Sequence, residues 1–126
     1  MRIVKKLAAM GVVAAMSLAT GPAFAHHSFS MFDGAKELTL EGTVVEFQWT
    51  NPHSWIQIVV EDASGKMVEW SIEMASPNSL ARSGWKRSAL KPGDKAVLVV
   101  RPMKDGSAGG SLVSAAVNGR KIGATP

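Results

Sequence analysis

The chain contains no cysteine. No disulfide braces it, no thiolate zinc site can form, and the fold must rest on its core alone. A glycine-rich phosphate loop with its lysine is also missing, as are internal repeats and low-complexity tracts. The longest apolar run, Leu7 to Leu18, is broken by Gly11 and Ser17. It falls short of the roughly 20 residues a membrane helix needs. Histidine is scarce, with three in 126 residues.

A strong charge of one sign is lacking too, although the sequence pI of 9.7 suggests otherwise. Arg2, Lys5 and Lys6 precede the apolar run, and Ala23-Phe24-Ala25 follows it in an A-x-A cleavage pattern. Residues 1–25 therefore read as a secretory signal peptide cut after Ala25. With no cysteine after the cut to accept a lipid, the expectation is an exported, periplasmic protein with no integral membrane segment once the signal is removed. Three of the fourteen Lys and Arg residues leave with the signal and none of the ten acids does, so the mature chain carries a net charge of +1. A polyanion-binding protein shows a basic patch or stripe. The local cluster Arg82, Lys86, Arg87, Lys91 and Lys95 reads as a solvated loop face, which weighs against nucleic acid as a partner.

Residues 26–126 suffice for a single domain, which is expected to be a mainly β, small five-stranded OB-fold-like barrel with one short helix between strands 3 and 4. Residues 26–36 form an extended N-terminal segment with apolar anchors Phe29, Met31 and Phe32. Glu37 to Trp49 reads as one long strand. Its apolar residues Leu38, Leu40 and Val44 change parity before Phe47 and Trp49, and Gly42 sits inside it, so a bulge or sharp bend is expected there. Trp55 to Glu61 and Met67 to Met74 alternate as strands and complete a meander. Ser76-Pro77 reads as an N-cap followed by proline at the first helical position, opening a short helix that Gly84 stops. Lys95 to Arg101 and Ser111 to Val117 read as the last two main strands, separated by a loop from Pro102 to Gly110. Asn118-Gly119 suits a tight hairpin into a short return at Arg120 to Ile122.

The chemistry is concentrated in two places that together hold every histidine. One is Trp49-Thr50-Asn51-Pro52-His53-Ser54-Trp55, where Pro52 forces a turn between strands and sets His53 on a loop. The other is His26-His27-Ser28-Phe29, at the cleavage site. Cleavage after Ala25 would give His26 a free α-amino group, which can chelate a metal together with the ring Nδ1. His53, or less easily His27, would complete a planar three-nitrogen set that suits Cu(II), with Met31 or a loop carboxylate as an axial donor. The residues between His27 and Glu37 span up to roughly 30 Å when extended, enough for this closure. Equally, the histidines can be ordinary exposed or turn-capping residues.

Among the tryptophans, Trp49, Trp70 and Trp85 read as core. Trp55 falls on the strand face opposite Ile56 and Ile58 and is the surface candidate, with Asn51 beside it, for a metal-free contact with a peptide, glycan or envelope partner. No catalytic constellation emerges, and the chain reads as a non-enzyme. Ser54 and His53 are adjacent and point to opposite faces, and Glu69 and Glu73 read as solvated acids.

Six stretches carry a family resemblance: His26-His27-Ser28-Phe29, Glu41-Gly42-Thr43-Val44, the Trp49 to Trp55 motif, Ser76-Pro77-Asn78-Ser79-Leu80, Gly84-Trp85 and Leu90-Lys91-Pro92-Gly93-Asp94. Together they make the chain similar to a bacterial family of small exported proteins, a domain of unknown function numbered 6152. The resemblance implies export and a single domain, and it brings no activity or catalytic residues with it.

Overall fold

The computed structural model describes residues 29–123. After a 3₁₀ turn at Phe29–Met31, five long strands follow: β1 Leu38–Gln48, β2 Trp55–Glu61, β3 Met67–Glu73, β4 Lys95–Pro102 and β5 Gly109–Val117. A short helix, α1, Pro77–Arg82, separates β3 from β4, and β6, Arg120–Ile122, pairs back on β5. The sheet runs β3-β2-β1-β4-β5-β6, and a parallel pairing of β3 with β5 closes the first five strands into a barrel. The OB-fold-like architecture expected from the strand order is thus the one observed.

One strand serves two sides of this barrel, and the residues that permit it are local. Leu38 to Thr43 pair with β4, while Gly42 to Gln48 pair with β2. Gly42 lies on both ladders. A Cβ there would run into the Val59 carbonyl oxygen and stand 3.0 Å from Ile58 Cγ1. Two residues later the β1–β2 register slips between Val44 and Glu46, leaving Val45 as the extra residue of a bulge. Val44 stays inside and Val45 is exposed. On the β4 side the Val44 backbone is satisfied by the Pro92-Gly93 turn, through Gly93 N to Val44 O (2.8 Å) and Val44 N to Asp94 O (2.9 Å).

The core follows the alternation. Ile56 and Ile58 of β2, Ile72 of β3, Leu98 and Val100 of β4 and Leu80 of α1 are fully enclosed. Helix α1 starts as expected, with Ser76 as the N-cap accepting from Ser79 N (3.4 Å) and Pro77 in the first turn. Leu80 and Trp85 then join the core cluster. Phe47 links two tryptophans there, 5.8 Å from Trp49 and 6.0 Å from Trp85 between ring centres.

The expected loop from Pro102 to Gly110 ends earlier than the glycines suggest, because Gly109 and Gly110 are strand residues. They pair with Ser71 and Ile72 across the parallel seam, and Gly110 also faces Pro102 of β4. A Cβ on Gly110 would stand 2.7 Å from the Arg101 carbonyl oxygen. Glycine here serves close strand approach, not a turn. The N-terminal segment lies along the barrel, with Phe32 buried and bridged to Met103 and with Asp33 N donating to Pro102 O (2.8 Å).

Two turns are built on a single carboxylate each, and the β2–β3 hairpin shows how. Asp62 Oδ1 accepts from Ser64 Oγ (2.6 Å), Ser64 N (2.8 Å) and Lys66 N (3.0 Å), closing that hairpin. The Ser64 hydroxyl first, then the Lys66 backbone N–H, hold the Asp62 carboxyl below its ordinary range. With the folded-state pKa depressed, the turn's contribution is present above the unfolded value of roughly 3.9 and is lost as pH falls through the folded one. Urea unfolding of Asp62→Asn should accordingly show a shallower loss of stability below about pH 4 than the parent protein. An unchanged acid limb would show that Asp62 contributes nothing to it.

Candidate functional site

The Trp49–Trp55 turn sits at one end of the β2–β3 hairpin, and the hairpin ladder continues into it. Ser54 N donates to Ala75 O (3.1 Å) and Met74 N to Ser54 O (2.9 Å). Ser54 is fully buried, and Thr50 Oγ1 donates to the His53 carbonyl oxygen (2.8 Å), tying the loop to itself. The Asn51–Pro52 peptide is cis. The ladder bonds at Ser54 hold His53 over the last residues of β3.

His53 Nδ1 lies 3.0 Å from the Met74 carbonyl oxygen. A carbonyl only accepts, so this contact assigns the proton to Nδ1 and leaves the Nε2 lone pair as the ring's free donor to a metal. A backbone carbonyl on the far nitrogen is the usual way a metal-binding imidazole is oriented. The His53 side chain is 40% exposed.

Glu73, which its alternation marks as a solvated acid, is buried instead. Its side chain is only 10% exposed, Oε1 stands 3.6 Å from His53 Nδ1, and Oε2 is enclosed without a hydrogen-bond partner among the described residues. The physical reason is non-local. Glu73 pairs with Trp55 on one side and with Ser111 of β5 on the other, and Ser111 pairs in turn with Arg101 of β4. The loop carrying His53 covers the carboxyl from the end of the barrel. Glu69, further back on the same face, is exposed.

A cleft of about 450 Å³ opens beside this group, lined by Pro52, His53, Glu73, Ser79, Arg101 and Ser111 among others. A neighbouring hollow of about 310 Å³ is lined by Phe32, Gly34, Arg101 and Ser111. Arg101 and Ser111 are common to both, so the N-terminal segment passes next to the His53 cleft.

The expected site residues fare differently. Asn51 is exposed on the turn, and Trp55 is half-buried and outside the core cluster, which contains Trp85 and has the half-buried Trp49 and Trp70 packed against it. Met31 is half-buried, and its carbonyl accepts from Lys104 N (2.9 Å). His26 and His27 lie outside the described residues. Among the described residues no three His, Cys, Asp or Glu side chains gather closely enough to hold a metal ion. His53 and Ser54 form no nucleophile–base pair, since the Ser54 hydroxyl turns to Thr50 O (3.5 Å). No described helix is long and apolar enough to cross a membrane.

Glu73 is the residue that reading the sequence missed. The hairpin register could have found it: the Asp62 to Lys66 turn places Glu73 opposite Trp55, two residues from His53.

No curated protein and no solved structure matches the chain. Residues 13–113 match the model of a family of unknown function (DUF6152), and the chain belongs to that family.

Proposed function

We propose that the protein is an exported, periplasmic copper-binding module in which the His26 α-amino group and ring share one Cu(II) with His53. The observation that carries this reading is the His53 ring, fixed through Nδ1 on the Met74 carbonyl with Nε2 left without a partner among the described residues. Covalent reach supports it as well. Phe32 lies beside Arg101 and Ser111, which also line the His53 cleft, and six residues from Phe32 back to His26 span at most about 20 Å. The Glu73 carboxylate next to the ring favours a cation there. His27 is the alternative third donor and Met31 the axial one.

Cu(II) titration of the mature protein, with His26 as its true first residue, tests this with electron paramagnetic resonance as the readout. A one-to-one site with nitrogen hyperfine structure is expected, weakened at least tenfold by acetylation of the N-terminal amine and about tenfold by His53→Ala, since each removes a donor. Weak binding that is equal in both forms would overturn the proposal.

A second reading is favoured by Trp55, half-buried outside the core, with Asn51 exposed on the adjoining turn. In it the turn binds a peptide, glycan or envelope partner without metal, and acetylation of the N-terminal amine changes nothing.

A further inference from the structure

We infer that the cleft beside His53 binds a small dipolar molecule carrying both an ammonium and a carboxylate. This site uses no metal and does not rest on the copper reading.

Glu73 Oε2 is the atom that calls for a ligand. A carboxylate oxygen withdrawn from water without a donor is costly, and native proteins seldom leave one so. Here the oxygen belongs to a side chain nine-tenths buried that lines a cleft large enough for a small ligand. The last torsion of a glutamate is broad and two-fold, so the carboxylate can turn to meet a ligand in the cleft. His53 does not satisfy it, because the Nδ1 proton is already spent on Met74 O. No donor among the described residues reaches it, and an ammonium supplies a charge-assisted hydrogen bond roughly twice as strong as a neutral one.

The second charge narrows the ligand. Arg101 is exposed, lines the same cleft, and forms no ion pair with Glu73. Ser111 of β5 stands between them in the cross-strand row. Two interstrand steps separate the backbones by about 10 Å. A simple cation would meet Arg101 unfavourably and a simple anion would meet Glu73 unfavourably. A molecule with both charges satisfies both, with the Ser111 hydroxyl available between them.

The test is an amide NMR titration of the mature protein in excess EDTA, which removes any metal contribution. The probes are 5-aminopentanoate, its isomer L-norvaline, pentylamine and pentanoate. The expected result is that at least one of the two zwitterions binds about tenfold more tightly than either singly charged analogue. Its shifts should centre on Glu73, Ser111 and Arg101. Glu73→Gln and, separately, Arg101→Gln should each lower that affinity about tenfold while peaks elsewhere stay in place. The Arg101 variant changes an exposed side chain and so reports even if Glu73→Gln disturbs folding. Zwitterions that bind no better than pentylamine and pentanoate, or an affinity indifferent to Arg101→Gln, would overturn the inference. Loss of copper binding with zwitterion binding intact would sink only the copper reading.

Discussion

Replacing Trp85 with alanine should lower the stability of the domain by about 3–5 kcal/mol, the range for deleting a large aromatic from a core. Trp85 is 2% exposed. It follows α1 directly, with its backbone N–H on the Leu80 carbonyl (2.9 Å), and its ring meets Phe47 at the end of β1. Gly123, just past β6, packs so closely that a Cβ there would stand 2.8 Å from the indole. One side chain thus joins β1, the helix that covers the barrel, and the last strand. The Gly123 backbone on one side cannot collapse into the space, so the cost belongs at the upper end of the range. Trp85→Phe offers a contrast. Phenylalanine leaves a smaller cavity than alanine and also removes the indole Nε1, a buried donor without a partner among the described residues. Its cost should be clearly below that of alanine. Urea unfolding of the three proteins checks both statements, and equal losses for the two variants would overturn the contrast.

Most of this barrel was legible in the sequence because its signals are local. Val68, Trp70 and Ile72 against Glu69 and Ser71 mark β3 by simple alternation, and Ser76-Pro77 marks the start of α1 by cap chemistry. The turn that positions His53 was equally legible from Pro52. What escaped depends on strands far apart in the chain. Gly109 and Gly110 look like loop residues until β5 lies against β3, where the missing side chains allow the seam to close. Glu73 looks like a solvated acid for the same reason, since it is the closure beside Ser111 and the loop above that bury it. Local alternation assigns a residue to the outer face of a strand, and only the third dimension decides whether that face is covered. The glycine pair and the glutamate therefore lie on one seam, and that seam borders the candidate site.

Gly42→Val should cost about 3 kcal/mol or more, at or above the top of the usual range for adding volume to a packed site. The parity change before Phe47 already pointed to this region, and the structure shows why glycine is needed. Gly42 pairs with Val60 on one side and Ala96 on the other, so neither neighbouring strand can move away without breaking a ladder. A Cβ would meet the Val59 carbonyl, which is backbone and cannot change rotamer. Valine adds two methyl groups to that collision, although it is otherwise a good strand former. Propensity and packing therefore predict opposite signs, and the clash outweighs propensity because the whole propensity scale spans only about 1 kcal/mol. Chemical denaturation measures the sum. If Gly42→Val were neutral or stabilising, β1 would have to bend by some means other than the missing side chain. The bulge at Val45 would then be the sole hinge that lets one strand close both sides of the barrel.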